Sequence, residues 1–577
     1  MNRYRSYFPL DDVPAPDGDG LFRGVNALGN PATLESGLVE HALNMRFEDG
    51  MASTRGGIRI MPWGCVGGLT PYGSVLVGER FQDPIGGREW IISVTASGSY
   101  KARAGSTASA VPVAAGVSLE GTVDLVQTYN GMVALRGRKV GAWLEDVGEG
   151  WKALPSPDVG REAMPPATFG LYHGNRLLLV DARTSPRYVD SVWVSDFGGV
   201  TSVLQGSSAY QSFKINQGTA DRLNSLHPLG KSTILCGKSA SIWAVSGFSG
   251  TNEQLALNAE LDNVTTEYGC RSPRSWVTVG ADAWFLAHER GVASIRQTEQ
   301  NALQGVDVPV SRRIQRIINR INWEAADRVV AANSNNRVYF AVPIDGARDN
   351  NAILVYSLLT GEWAGYDQSD ATAVRDFVVF PYGGATRLGF VSQNGYVCLL
   401  DDGAYDHTGD ALGNVTYHEI RSELRTRGYA GTVKGRKRFT RAEWSVMGWR
   451  PAFEVSVVRE GVNERTLVAS RAPDRVKYDA PAGTPDWNPS NISGDWANPG
   501  RQDYSVDIST PTGLRLDNGL GVGTVAYDVF QTHDDGVGIL EHSRSLQVEI
   551  VNTQGRIKVT GISVDSERGD TSDGRKT

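Results

Sequence analysis

The feature that most limits what this chain can fold into is a recurring pair of strands. KSTILCGKSASIWAV (231–245) reads as an apolar strand, a polar turn and a second strand carrying Trp243. GMVALRGRKVGAWL repeats the pattern with Trp143, and NRLLLVDA followed by VDSVWVSD repeats it with Trp193. DAWFLAHERGVASI places Val292 at the matching position. The markers stand 50, 50 and 49 residues apart. Looser copies carry Tyr100, Val355 and Val397, making seven hairpins in all. A period of roughly 40–60 residues holds one four-stranded unit. A sheet of that size cannot bury both faces alone, so copies must stack in a ring. The expected fold is all-β, a β-propeller of six or seven irregular blades.

At 577 residues, more than one domain is expected. Three segments follow from the pattern. Residues 1–62 form an N-terminal arm, in which Asp49-Gly50 marks a hairpin turn and GGIRIMPW offers a strand to close the ring. Residues 63–408 form the propeller. Residues 409–577 alternate apolar and polar residues (FEVSVVRE, SLQVEIVN, RIKVTGISV) and predict a second β domain, a sandwich or small barrel. That domain carries a long loop, 472–503, with Trp487 and Trp496, and ends in a polar tail. Tryptophan is enriched in interface hot spots, so these two are candidate partner contacts, packing within their own domain being the other reading. One helix is expected, with Ser311 as N-cap and Ile314, Ile317, Ile318 and Ile321 as its apolar stripe.

The formal net charge of −7 argues against a general nucleic-acid binder. The cysteines 65, 236, 270 and 398 form no CxxC pair and are expected to be reduced and buried. The N-terminal residues lack the apolar core of a secretory signal, and no run reaches the ~20 apolar residues of a membrane span. The eight histidines show neither HxH nor HExxH spacing, and there is no GxSxG or P-loop, so neither a metal, a cofactor nor a catalytic residue is assigned. Gly519, Gly521 and Gly523 lack the βαβ context of a dinucleotide fingerprint. The Arg568-Gly569-Asp570 tripeptide sits in the polar tail and is read as chance. Two carboxylates at glycosidase separation cannot be seen in a sequence, which keeps a glycan-cleaving or carbohydrate-binding propeller as the alternative function.

The strongest charge feature holds Arg421, Arg425, Arg427, Lys434, Arg436, Lys437, Arg438 and Arg441 against a single acid, Glu423. Three readings stay open: a stripe that contacts phosphates, an edge strand guarded by charge, or an ion-pair surface for a neighbouring subunit.

Several motifs, in order, resemble one family. Asn44-Met-Arg-Phe-Glu-Asp-Gly50 with Arg55-Gly-Gly57 comes first, then Tyr268-Gly-Cys270-Arg-Ser-Pro273, Trp284-Phe-Leu with Gly291-Val292, and Ser311 followed by Ile314-Gln-Arg-Ile317. Val355-Tyr356 with Gly361-Glu-Trp363, Thr426-Arg-Gly-Tyr429 with Arg436-Lys-Arg-Phe439, and Ser543-Arg-Ser545 with Gln547 complete the series. Together they resemble the β-propeller proteins of the head–tail junction and tail nozzle (head-completion proteins) of short-tailed phages. The resemblance implies a structural virion protein, made in the host cytoplasm and located in the tail. It implies a hexameric tube below the portal-adaptor ring that retains packaged double-stranded DNA, conducts it without sequence preference, and carries tail fibres or spikes outside.

Overall fold

The computed structural model describes residues 17–430 apart from 67–69, 155, 157–160, 186–187, 198–201, 205–211, 248–258 and 297–308; beyond 430 it describes 437–459, 465–471, 502–507, 530–531 and 545–568. The chain divides into two units. One comprises Gly56–Leu359 and Asp367–His418; the other comprises Met1–Arg55, Thr360–Tyr366 and Glu419–Thr577.

The first unit is a β-propeller. Six of its sheets stand as separate antiparallel blades, and in each the inner strand comes first in the chain or leads the hairpin. Blade 1 runs through Val75–Gln82, Glu89–Thr95, Ser99–Arg103 and Ser106–Val111. Blade 2 runs through Asp124–Gln127, Met132–Arg136, Lys139–Leu144 and Trp151–Ala153. Blade 3 begins at Ala167–His173, and blade 4 at Leu223–Leu229. Among the described residues blade 5 shows the strands Val277–Val279, Asp282–Ala287 and Gly291–Ser294. The last blade is Val374–Tyr382, Ala385–Ser392 and Val397–Leu399, with Arg59–Ile60 as its outermost strand. Between blade 5 and the last blade stands a meander, Val330–Ser334, Arg337–Val342 and Ala352–Ser357.

All seven hairpins read from the sequence are the second and third strands of these elements. The markers fall in the third strand: Trp143 faces Val133, Trp193 faces Leu179, Trp243 faces Cys236 and Val292 faces Leu286. The repeat exists because each such hairpin supplies apolar residues to both faces of its blade. Leu178, Val180, Val192 and Val194 pack with Ile234, Cys236 and Val245 of the next blade, all buried. Ile92 and Val94 pack with Met132, Ala134 and Leu144 in the same manner, and Leu235 and Ile242 with Phe285 and Ala293.

Each seam also carries a polar tie. The Gly78 amide donates to Asp376 across the last and first blades at 2.7 Å, and the Gln82 amide to Gln127 at 3.1 Å. Gly170 donates to Asp124, Leu223 to Asp190, and the Trp276 indole to Ser225 at 2.9 Å. The Ala331 amide reaches the Arg274 carbonyl at 2.9 Å, and Asn350 Nδ2 reaches the Val374 carbonyl at 3.2 Å. At Gly78 a Cβ would lie 2.8 Å from Val391 Cγ2, so closure of the ring requires glycine there.

The expected helix is shorter than its stripe. A 3-10 turn, Val310–Ile314, leads into a single α-turn, Gln315–Ile318. Ile314, Ile317, Ile318 and Ile321 are all buried, as the periodicity requires. Ser311 is not the N-cap, a position held by Pro309; it is fully buried and its hydroxyl accepts the Val292 amide at 2.9 Å. A strand-end amide with no ladder partner outcompetes the helix terminus for that oxygen. The four cysteines are free and buried, and burial pushes the Cys65 thiol up to about 12 and Cys270 up to about 11.

The second unit is a curled sheet organised by two strands of 23 residues each, Lys437–Arg459 and Leu546–Arg568, paired antiparallel along their length. Val548, Ile550, Ile557, Val559, Ile562 and Val564 are buried along one of them, with bulges where the alternation shifts. The arm is divided: Arg59–Ile60 belongs to the propeller, whereas Asp17–Asp19 pairs with Ile562–Val564 in this sheet, and Ala52 and Ser53 pair with Val559 and Lys558. Asp49 and Gly50 both take positive φ, 51° and 76°, the type I′ turn that an Asp-Gly hairpin favours.

Lys238 is fully buried, with its ammonium 3.3 Å from Asp190 and bonded to the Ile215 and Asn216 carbonyls and the Thr219 hydroxyl. Replacing it by Met strands a buried carboxylate. The expected loss is about 3–5 kcal/mol of unfolding free energy, read by urea denaturation, and Lys238→Arg is expected to recover part of it.

Candidate functional site

The inner strands of a propeller converge on its axis, and here three of them bring an acid to it. Glu79 comes from blade 1, Asp124 from blade 2 and Asp376 from the last blade. Arg274, just ahead of blade 5, reaches across to all three: 2.8 Å to Asp124, 3.0 Å to Asp376 and 3.4 Å to Glu79. Its guanidinium also donates to the Gly78 and Leu125 carbonyls at 3.0 and 3.4 Å. The second carboxylate oxygens of Asp124 and Asp376 accept the Gly170 and Gly78 amides. The middle of the ring is therefore filled by one cation and three carboxyls, tied to four inner elements.

Three acids around one cation cannot all be ionised without cost. Burial, opposed by Arg274, pushes Glu79 up to about 7, although its side chain keeps 34% exposure. Burial also raises Asp124 above the ordinary carboxylate range, again opposed by Arg274. Glu79 is the member of the cluster held protonated toward neutrality. Chemically the cluster is a clamp, since each Asp is engaged through both oxygens and no oxygen of either is left to attack a substrate.

The residues singled out by the sequence lie elsewhere. Arg421 pairs with Glu423 at 2.8 Å on an exposed rim. His41 and Arg421 together hold the Glu423 carboxyl down at about 2. Arg425 reaches the buried Glu549 at 2.8 Å, and Arg427 reaches Asp19 at 3.1 Å and Asp17 at 2.5 Å. Lys437, Arg438 and Arg441 lie opposite Arg568, Glu567 and Asp565 in the long strand pair. Arg441–Val446 is paired on its other side with Gln502–Asp507, so the guarded-edge reading does not hold there. Arg421 meets the acid inside its own stretch, whereas Arg425 and Arg427 meet carboxylates supplied from distant parts of the chain. Lys434, Arg436, Trp487 and Trp496 lie outside the described residues.

The axial residues escaped the sequence reading, yet a signal was present. Glu79, Asp124 and Asp376 each stand about twenty residues ahead of their hairpin's marker (Tyr100, Trp143 and Val397), inside a short, mainly apolar strand. An acid recurring in phase with a structural repeat points to the axis. Among the described residues no group of three His, Cys, Asp or Glu is placed to hold a metal ion, and no helix is long and apolar enough to cross a membrane.

No protein-family model matches the chain, and no curated protein matches it. Among solved structures it is similar to YCF48 bound to D1 peptide, with TM-score 0.35 and 12% identity over 62% of this chain and 97% of that one. YCF48 from Cyanidioschyzon merolae gives TM-score 0.33 and 10% identity, covering 60% of this chain and 98% of that one. The WD40 β-propeller domain of Doa1 gives TM-score 0.35 and 9% identity, covering 60% and 97%. Similarity at this level leaves function to the residues of this chain.

The ion pairs make three measurable statements. Glu79 has a folded value raised from 4.5 to about 7, so its contribution to stability is present below pH 4.5 and is lost as pH rises through 7. Glu79→Gln is expected to flatten the decline in melting temperature between those values. Arg274→Met leaves three carboxyls facing one another; the expected loss is about 3 kcal/mol or more, larger at pH 8 than at pH 5. Equal losses at both pH values would contradict an electrostatic clamp. Arg421→Ala, on the exposed rim, is expected to change stability by no more than about 0.5–1 kcal/mol.

Proposed function

We propose that this chain is a structural subunit of a phage tail, a nozzle or head-completion protein acting as a homo-oligomeric wall around packaged DNA. The observation that carries the reading is where the motif residues spend their polar groups. Asn44, with φ 55°, donates to the Arg421 carbonyl at 2.7 Å and accepts from Arg55 Nε at 3.0 Å. Ser272 donates to the Val329 carbonyl at 2.6 Å, tying the segment ahead of blade 5 to the meander. Ser311 receives the Val292 amide, and Gln547 donates to the Thr426 carbonyl at 2.8 Å. The ordered motifs thus maintain the framework. A family defined by framework residues, rather than by a reaction centre, fits a wall whose work is to assemble and hold shape.

In this reading the duplex does not thread the propeller. Its axis is occupied by Arg274 and its acids, and a duplex about 20 Å wide needs a far larger bore. DNA therefore passes along the axis of the assembly, with six copies in cyclic symmetry enclosing it. The acidic balance of −7 suits a wall that must release DNA quickly, because each neutralised phosphate adds an attraction to be broken. The portal-adaptor ring above and the fibres or spikes outside are the partners this assignment implies.

Electron microscopy of purified virions, with mass spectrometry of their proteins, tests the assignment. The expected result is this polypeptide in a ring of six below the portal, with a bore wider than a duplex. Its absence from virions would overturn it. Release of reducing ends from host-surface polysaccharide by the purified chain would instead favour the glycan-cleaving alternative.

A further inference from the structure

The outer strand of a blade has one hydrogen-bonding edge without a neighbour, and such an edge recruits other chains unless it is guarded. Blades 1 to 5 each carry a guard. Ala108, in the outer strand of blade 1, is bridged by Val66, and Trp151 of blade 2 by Val113. The outer strand of blade 3, Ser212–Lys214, is three residues long and ends in an exposed lysine. That of blade 4, Glu260–Thr265, exposes the charges of Glu260 and Asp262. In blade 5 the Ser311 hydroxyl takes the Val292 amide.

The last blade differs. Beyond its closing strand the chain adds a two-stranded ribbon, Tyr405–Gly409 and Val415–Glu419. The His407 amide donates to the Ile58 carbonyl at 2.8 Å, and the Asp406 carboxylate accepts the Ile58 amide at 3.0 Å. Among the described residues no strand pairs with the far edge of Val415–Glu419. Thr416, Tyr417 and His418 are exposed, Tyr417 to 64%. The strand contains no Lys, Arg or Pro, and Val, Thr and Tyr are good strand formers. A ribbon of two strands is marginal alone, yet this one is held in shape. At its tip Asp410 accepts the Leu412 and Asn414 amides at 2.8 and 2.9 Å and Asn414 Nδ2 at 2.7 Å. The Tyr396 hydroxyl donates to the Asp410 carbonyl at 2.6 Å, and the His407 ring meets Tyr417 edge to face at 4.6 Å.

We infer that the Val415–Glu419 edge is a docking site for an extended strand of a partner protein, added to the last blade by main-chain hydrogen bonds. Only an extended backbone offers donors and acceptors at the spacing of a strand edge, which fixes the class of occupant. Tyr417 favours a β-branched or aromatic residue opposite it. The ribbon is already ordered, so binding does not have to order it. The choice of a different protein over a second copy rests on the tail reading. An edge that pairs with its own copy does so about a two-fold axis, whereas a cyclic ring leaves every copy's edge open.

The test is titration of the full chain with the capped peptide Lys-Thr-Val-Tyr-Val-Thr-Lys, followed by calorimetry and by amide hydrogen exchange. Saturable binding is expected, with exchange slowed in residues 415–419 and unchanged in the outer strand of blade 4. Methylating the backbone nitrogens between the peptide's two lysines removes donors and leaves every side chain, and is expected to abolish binding. Tyr417→Ser is expected to weaken binding about threefold, the size of one cross-strand pair. Tyr129→Ser, at an exposed tyrosine of blade 2, is expected to leave it unchanged. No binding at millimolar peptide, equal binding by the methylated peptide, or slowed exchange only outside 415–419 would overturn the inference. So would a dimer of the free chain, seen by light scattering, that Tyr417→Lys dissolves, because a second copy would then hold the edge. A ring of six in virions together with no peptide binding would overturn this inference and leave the tail reading standing.

Discussion

A four-stranded blade has two apolar faces, and everything else in the propeller follows from the need to cover both. The second strand of each blade is mainly apolar and buried, as in Leu177–Val180, Ile234–Cys236 and Ala283–Ala287, and the third adds apolar residues at its paired end. Such a sheet is insoluble alone, and a neighbour on each side is the only arrangement that buries it without leaving an end. A linear stack would still expose its first and last members. Closing the ring removes both ends, and the chain secures that closure by returning Arg59–Ile60 to the blade that is otherwise completed far downstream. Fixing the outermost strand from the N-terminal side makes the ring an all-or-none structure, because its seams are filled by side chains of two blades at once.

Closing a ring concentrates the inner strands, and this creates a second problem at the axis. Backbone groups at the start of each inner strand lack a ladder partner on the axial side. Asp124 and Asp376 answer it by accepting the Gly170 and Gly78 amides of adjacent blades. Acids gathered for that purpose repel one another, and a single arginine from the opposite side of the ring neutralises part of the repulsion while capping two carbonyls. Burial, with a smaller contribution from the neighbouring acids and opposed by Arg274, pushes the Glu79 carboxyl up to about 7. The axis thus obtains rigidity from a polar network whose members are nearly all satisfied, the condition under which such networks add specificity.

How much of this was legible in the sequence depends on whether the signal was local. The hairpins were, because an apolar strand pair with a turn occupies fifteen contiguous residues, and the marker positions Trp143, Trp193, Trp243 and Val292 recur in phase. The burial of Ile314, Ile317, Ile318 and Ile321 was legible for the same reason. Apart from the closing strand Arg59–Ile60, what stayed hidden were groups whose partners lie far along the chain. Ser311 looks like a cap until Val292 is seen to offer an amide. The stretch 421–441 looks like a free positive stripe because the window contains one acid; Asp17, Asp19 and Glu549, which neutralise Arg427 and Arg425, sit hundreds of positions or more than a hundred away. Net charge in a window is a statement about composition, whereas a field at a surface is a statement about neighbours. In a sheet built from both ends of a chain, the two diverge.

The same distinction separates the two charged sites of the propeller. At the axis, donors and acceptors are matched almost atom for atom, so nothing remains for a ligand to supply. Beside the closing strand the accounts do not balance: the indole N–H groups of Trp63 and Trp90 and the Arg103 Nε are buried with no acceptor, and Glu89 is engaged by Arg80. Unpartnered donors of the same kind stand in the packed cores of both units, Trp151 Nε1 in blade 2 and Trp444 Nε1 in the long strand pair, each on a fully buried ring. The area such an indole buries outweighs the cost of one unmatched N–H, so a missing acceptor accompanies tight packing here and does not by itself mark a binding site.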